Sequence, residues 1–355
     1  MEEQLFVQND GMYLDYEKEK AWFVDRNNNI LYKLNLEDME LQFECNLNLE
    51  KEDPYRKTPL CYKKEQTIVL FPDRGKKILF YDEKQKSIDT YEIDLERYDR
   101  IGIYCFGEFQ NKIWAVSYGM KQIFLIDVAL KKIVKRYKLF RMDDHIKMGV
   151  ESVLYGESIF CVSSNSNYLS QTNIVNGEEK LYELPVNESG FNTIHCDGEQ
   201  FWLSSMSGNI YIWNSRNNTM KQIYLQNGTR YKSIRVGHII CFLPFNISSN
   251  LCDELLCCDI KEKRCFSFAI SGQHREGIYV FEYFKDKRTI GISHSEDDFI
   301  TEINIENGER NKIYFNVSEQ YLKERKMDDI KRYMQEDNIL YENKECDISF
   351  YLGLI

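Results

Sequence analysis

Seven times along the chain an Asp or Asn stands near the end of a short apolar run: Asn35, Asp82, Asp127, Asn173, Asn214, Asp259 and Asn304. The intervals between them run from 41 to 47 residues. The surrounding text repeats too, as in Leu34-Asn35-Leu36, Ile126-Asp127-Val128, Trp213-Asn214-Ser215, Cys258-Asp259-Ile260 and Ile303-Asn304-Ile305. A period of this length marks a repeat architecture, in which one unit cannot bury its apolar surface alone and must stack on its neighbours.

Within one period the apolar pattern changes four times. In the first unit Met12 to Tyr16 alternate, Ala21 to Val24 form a continuous run, Ile30 to Leu36 alternate again, and Met39 to Leu47 close the unit. Alternation and short β-rich runs between polar turns read as four strands, A to D. The third unit repeats the order with Gly102 to Phe109, Ile113 to Ser117, Gln122 to Val128 and Ile133 to Leu139, and the fifth repeats it from Phe191 through Leu225. About 13 residues before the marker lies strand B, at Trp22, Val69, Trp114, Phe160 and Phe201. The sixth unit carries about four extra residues near Asn246 to Glu254, and the seventh has Gly291 at the strand-B position. Four-stranded antiparallel units repeated seven times over residues 12 to 317 specify an all-β fold, a seven-bladed β-propeller occupying residues 1–317 as one domain.

The marker has a local cause. Asp and Asn side chains accept from the backbone two residues on, which suits the first position of a tight C-to-D turn. Seven such residues on the outer parts of separate blades do not converge, so they are not read as a catalytic or metal set.

The fifth unit, Gly208-Asn-Ile-Tyr-Ile-Trp213-Asn214, resembles a WD-repeat blade, whose third strand ends in a Trp-Asp dipeptide. The resemblance covers the blade plan over most of the chain. It departs in that the Gly-His element is missing from nearly every unit, Trp213 stands alone, and Asn replaces Asp beside it. It implies a divergent propeller and carries over no functional residues.

Beyond residue 317 the pattern changes. Ser318 can cap a helix through Tyr321, Leu322, Ile330, Tyr333 and Met334, followed by an apolar end from Asp347 to Ile355. Residues 318–355 are expected to pack on the propeller or close it, or to bind a partner.

A formal net charge of -11 argues against a broad nucleic-acid face, which needs a basic footprint. No apolar stretch reaches the length of a membrane span, and Met1 to Gln8 does not read as a secretory signal. The eleven cysteines lie scattered in strand-like runs without paired spacing, so they read as small buried hydrophobes in a reducing, cytoplasmic compartment. The vicinal Cys257 and Cys258 should point to opposite faces of their strand. No cofactor motif and no metal-ligand spacing is present.

In propellers the D-to-A and B-to-C loops gather on one face around the axial channel, and the A-to-B and C-to-D turns on the other. The first set is rich in Arg and Tyr: Asp25-Arg26, Tyr55-Arg56, Asp73-Arg74, Arg97-Tyr98-Asp99-Arg100, Tyr118, Arg141, Arg230-Tyr231 and His274-Arg275. The second set runs to Lys, Glu and Asn, as in Lys131-Lys132 and Lys261-Glu-Lys263. Arg presents a planar set of donors that binds carboxylate or phosphate bidentately and stacks on Tyr, whereas Lys is a solvated point charge.

The candidate binding residues are therefore Asp25, Arg26, Arg56, Asp73, Arg74, Arg97, Tyr118, Arg141, Arg230, Tyr231, His274, Arg275 and His294. They point to a non-catalytic scaffold that holds a protein or peptide, including an anionic one. The alternative is a small-molecule lyase or hydrolase at the mouth of the channel, for which Asp25, Asp73, His145, His274 and His294 supply acid and base candidates.

Overall fold

The structure is a computed structural model that describes residues 12–15, 20–25, 30–47, 60–72, 75–95, 98, 100–224, 228, 230–246, 254–270, 277–278, 283–284, 288–292 and 299–317. It is a seven-bladed β-propeller of four-stranded antiparallel blades. Blade 1 comprises β1 (Met12–Asp15), β2 (Lys20–Asp25), β3 (Ile30–Asn35) and β4 (Glu40–Asn46). Blade 2 comprises β5 (Leu60–Lys64), β6 (Thr67–Phe71), β7 (Lys77–Asp82) and β8 (Ser87–Glu92), and blade 3 β9 (Ile103–Phe109), β10 (Lys112–Ser117), β11 (Gln122–Asp127) and β12 (Lys132–Lys138). Blade 4 holds β13 (Met148–Tyr155), β14 (Ser158–Ser163), β15 (Tyr168–Asn173) and β16 (Glu179–Glu183), and blade 5 β17 (Phe191–Cys196), β18 (Phe201–Ser205), β19 (Ile210–Asn214) and β20 (Thr219–Tyr224). Blade 6 holds β21 (Arg230–Val236), β22 (Ile239–Asn246), β23 (Glu254–Asp259) and β24 (Arg264–Ala269), with β25 (Gly277–Ile278) paired to the end of β22. Blade 7 is β26 (Tyr283–Phe284), β27 (Thr289–Ile292), β28 (Phe299–Asn304) and β29 (Arg310–Tyr314).

The core is divided among the blade interfaces. In β2, Ala21 and Phe23 pack toward blade 7 and Trp22 and Val24 toward blade 2. In β10, Ile113 and Ala115 face blade 2 while Trp114 and Val116 face blade 4. Both faces of the middle strands are thus buried, which is why strand B reads as a continuous apolar run in blades 1 to 3 while the outermost strands are largely polar.

Each marker does what its chemistry predicts. Asp82 Oδ1 accepts from the N–H groups of Lys84 (2.9 Å) and Gln85 (2.8 Å), and Asn173 Oδ1 from Val175 (2.8 Å) and Asn176 (3.0 Å). Asp259 and Asn304 repeat the pair, and Asn35, Asp127 and Asn214 each accept one such bond. A second regularity escapes the sequence pattern. Four residues after every marker the backbone turns left-handed, at Met39, Lys86, Lys131, Gly177, Asn218, Lys263 and Gly308. Only two of these seven are glycines, so the turn geometry is imposed by the hairpin and its capping side chain, against a cost of about 1 kcal/mol for a residue with a Cβ.

The ring closes through β30 (Asn316–Val317), which leaves blade 7 and pairs in parallel with β4 of blade 1. The Asn316 N–H donates to the Met39 carbonyl at 2.8 Å, and Phe315 stacks on Phe23 with ring centroids 6.3 Å apart. The helix expected from Ser318 and the apolar end lie outside the described residues.

The cysteines depart in part from expectation. Cys257 and Cys258 do face opposite ways, into separate interblade clusters. However, Cys258 is joined to Cys265 in a disulfide, because the two sit directly opposite each other on β23 and β24. Spacing along the chain hides this pairing; register creates it.

If the caps carry the C-to-D turns, Asp82→Ala should lower stability by about 1 kcal/mol by removing two amide acceptors. Urea unfolding reads this as a lower midpoint at constant slope, and Asp82→Asn should retain most of the wild-type value.

Candidate functional site

On the D-to-A and B-to-C face, blade 3 is built around a close meeting of two loops. The Tyr118 N–H donates to the Gly102 carbonyl (2.7 Å), and the Gly119 N–H (2.9 Å) and Ser117 Oγ (2.5 Å) both donate to the Ile101 carbonyl. A Cβ on Gly119 would lie 2.2 Å from the Arg100 carbonyl oxygen, so only glycine permits this approach. As a result the Arg100 guanidinium lies over the Tyr118 ring, 5.2 Å from its centroid, and Tyr104 meets Tyr118 edge-on at 6.0 Å. A cation held against an aromatic face gives up little further freedom when an anion binds it.

Of the candidates whose side chains are described, Tyr118, Arg141 and Arg230 do not gather around one point. Tyr118 belongs to this stack. Arg141 is exposed, and its N–H donates to Glu179 Oε2 (2.9 Å) on β16, the outermost strand of blade 4. That contact holds it toward the rim of the disc. Arg230 is fully buried at the start of β21, and its Nη1 donates to the Glu254 carbonyl at 2.8 Å. Its side chain turns toward the start of β23. Asp25 ends β2 and Tyr231 lies in β21, and their side chains are outside the described set. Arg26, Arg56, Asp73, Arg74, Arg97, His274, Arg275 and His294 also fall outside the described residues. His145 is exposed, its N–H donating to Asp143 Oδ1 (2.9 Å) and its carbonyl accepting from Asn165 Nδ2 (2.7 Å).

A polar constellation that sequence reasoning missed lies on the innermost strands of blades 4, 5 and 6. Asn192 bridges all three: its Oδ1 accepts from the Val150 N–H (3.3 Å), and its Nδ2 donates to the Arg230 carbonyl (2.5 Å). Gly149 beside it allows β13 and β17 to meet, since a Cβ there would lie 2.6 Å from the Phe191 carbonyl oxygen. Deeper along the same strands, Glu151 reaches from β13 to β21. Its Oε1 accepts from the Ser233 N–H (3.0 Å) and its Oε2 from Ser233 Oγ (2.6 Å). Ser233 Oγ in turn lies 3.3 Å from His195 Nδ1 on β17.

Near the A-to-B turn, Arg235 Nη1 donates to the Asp197 carbonyl (2.7 Å) and its Nε to the Gly237 carbonyl (2.9 Å). Burial, reinforced by the Arg235 charge and opposed by Asp197, pulls the His195 pKa down to about 4, so the ring is neutral at pH 7. Burial alone would raise Asp197. The Gln200 N–H, the Trp202 indole, the Glu199 N–H and Arg235 outweigh it and hold the carboxyl below the usual range.

The signal that marks Asn192, His195, Glu151 and Ser233 is their place as polar residues on strand A, the strand that lines the axis. Among the described residues no group of three or more His, Cys, Asp or Glu side chains is placed to hold a metal ion.

The architecture is that of a seven-bladed β-propeller. No family model and no curated protein sequence matches it. Solved structures do. PorZ, a surface component of the type-IX secretion system of Porphyromonas gingivalis, is similar with a TM-score of 0.63 at 11% identity, over 88% of this chain and 39% of that one. A chain of the mitotic checkpoint complex matches with a TM-score of 0.63 at 9% identity, over 86% and 95%. BamB of Moraxella catarrhalis matches with a TM-score of 0.55 at 10% identity, over 83% and 84%. At such identities the likeness is one of fold.

Asn192→Ala would leave the Val150 N–H and the Arg230 carbonyl without their shared partner in a buried place. The expected loss is about 2 to 4 kcal/mol, seen as a lowered urea midpoint, whereas Asn165→Ala on the exposed loop should cost well under half as much.

Proposed function

We propose that this propeller is a non-catalytic binding module that recognises a protein or peptide through acidic or phosphorylated side chains on its D-to-A and B-to-C face. One observation carries the reading: the Arg100 guanidinium is stacked on Tyr118 by a loop-to-loop junction that positions it before any partner arrives. An arginine fixed in this way offers paired donors matched to a carboxylate or phosphate. A neighbour solved within the mitotic checkpoint complex accords with a fold that is often used to hold partner proteins.

The test is a set of immobilised peptides of matched length, glutamate-rich, phosphoserine-bearing and lysine-rich. The full chain should retain the first two and not the third. Arg100→Glu should weaken retention at least about tenfold, the scale of one charge-assisted pair, with an unchanged urea midpoint. Equal binding by wild type and variant would refute the assignment.

A second reading, a small-molecule lyase or hydrolase at the channel mouth, draws on Glu151, Ser233 and His195. The order of protons argues against a nucleophilic serine there. Ser233 gives its single hydroxyl proton to Glu151 at 2.6 Å, so the neutral His195 stands as donor to Ser233 through Nδ1 and is not placed to take the serine proton.

We further propose that the protein works in a cytoplasmic, reducing compartment, where the Cys258–Cys265 disulfide would be reduced to two thiols. Alkylation during lysis of the native cell, followed by mass spectrometry, distinguishes the states. Label on both residues supports that compartment; an unlabelled, linked pair places the protein in an oxidising one.

A further inference from the structure

Two of the seven C-to-D turns carry nearly the same text, Asn173-Ile-Val-Asn176-Gly177-Glu178 and Asn304-Ile-Glu-Asn307-Gly308-Glu309, and the same hydrogen bonds. The glycine N–H donates to the marker carbonyl, Gly177 to Asn173 and Gly308 to Asn304, both at 2.8 Å. Asn176 Oδ1 accepts from the Glu178 N–H and Asn307 Oδ1 from the Glu309 N–H, both at 2.9 Å. Each side-chain amide donates in turn to the carboxylate of that glutamate, at 3.0 Å in blade 4 and 3.4 Å in blade 7.

The other five turns place Met39, Lys86, Lys131, Asn218 or Lys263 at the left-handed position, so a positive φ alone does not demand glycine there. An aromatic ring from the preceding blade does. A Cβ on Gly177 would lie 3.0 Å from Tyr137 Cε1 of β12, and one on Gly308 would lie 2.8 Å from Phe268 Cδ1 and Cε1 of β24. Tyr137 packs on the cluster between blades 3 and 4, and its hydroxyl donates to the Ile174 carbonyl at 2.6 Å. Phe268 packs on the cluster between blades 6 and 7. Each ring therefore rests against an Asn-Gly pair, and the pair belongs to the neighbouring blade.

An Asn-Gly pair is chemically labile because no side chain on the glycine hinders its nitrogen from attacking the amide before it. In blade 4 the Gly177 nitrogen would bond to Asn176 Cγ and give up its proton, and Nδ2 would leave as ammonia. Water would then open the succinimide to aspartate or isoaspartate. We infer that Asn176 and Asn307 are succinimide-forming sites, held back in the closed ring and released when the interface between blades 3 and 4, or between blades 6 and 7, opens. In the closed state the attacking nitrogen and the amide it would attack are both engaged in hydrogen bonds, and the ring covers the glycine. The product sets a new carboxylate beside Glu178 or Glu309, where like charges repel, and isoaspartate lengthens the backbone of the turn. Each site thus keeps an irreversible record of opening at one interface. The chain's third Asn-Gly pair, Asn227-Gly228, has its asparagine outside the described residues and takes no part in the inference.

The experiment incubates the full chain in mildly alkaline buffer beside capped peptides of residues 173–179 and 304–310. Peptide-mapping mass spectrometry follows both asparagines, with aspartate and isoaspartate products separated by chromatography. In the folded chain both sites should convert at least about tenfold more slowly than in the peptides, because reaction requires a local opening that breaks the glycine hydrogen bond. Tyr137→Ala should speed conversion of Asn176 by about tenfold or more, the lower end of what deleting a packed ring does, and leave Asn307 at its wild-type rate. Phe268→Ala should do the reverse.

The inference is overturned if either asparagine converts in the folded wild type as fast as in its peptide. It is equally overturned if each variant speeds both sites alike, which marks global unfolding and not the opening of one interface, or if the variants speed neither. Where an alanine variant does not fold, Tyr137→Leu and Phe268→Leu, which keep apolar bulk in the cluster but remove the ring, take its place with the same crossed pattern expected.

Discussion

Every blade of this propeller is a small sheet with two apolar faces, and no blade can bury both without a neighbour on each side. Seven hydrophobic clusters among the described residues meet that demand, one at each interface from the first and second blades round to the seventh and first. Removing any interface would expose aromatic side chains such as Trp22, Phe124 or Trp213, each worth several kcal/mol when buried. The short strand at Asn316–Val317 therefore has an importance beyond its two residues: it joins the end of the ring to its beginning, so the seventh interface is held by backbone pairing as well as by side chains.

The same closure brings the innermost strands together at the axis, where their inner edges carry polar groups that need partners. Asn192 serves three strands at once, and Glu151 spans from the fourth blade to the sixth. Similar ties recur between other inner strands. Glu108 accepts from Tyr62 (3.2 Å) and Lys64 (2.5 Å), Cys105 Sγ donates to the Ser152 carbonyl (2.9 Å), and Tyr155 donates to the Gly198 carbonyl (3.2 Å). The outer interfaces use charge as well: Lys63 is buried between Trp22, whose ring centroid is 4.0 Å away, and Glu83 at 2.7 Å. The same frame holds the Arg100 guanidinium over the Tyr118 ring on the loop face and His195 beside Ser233 on the innermost strands.

The fold was open to reading because its cause is local and repeated. An Asx side chain caps a turn two residues on, strands alternate or run apolar according to how many faces they bury, and seven copies of the pattern reinforce one another. The candidate site was less open. Arg230 and Arg141 look alike in the sequence as arginines near D-to-A connections, yet one is enclosed against the Glu254 carbonyl and the other lies exposed beside the outer strand of blade 4. Arg100 was part of the same Arg/Tyr-rich segment as Arg97, but its stacking depends on Gly119 admitting a neighbouring loop. His195 carries no motif at all.

The amino-acid sequence by itself determined the blade count, the strand order and the chemistry of each turn, since these follow from side chains acting over a few residues. Tertiary structure alone decided which strand closes the ring, that Cys258 opposes Cys265, and that Glu151 meets Ser233 across 82 positions of chain. The reason is geometric. A closed ring brings distant strands to one axis and sets the register between them, and hydrogen bonds over two to three ångströms depend on that register, which composition and period leave unspecified.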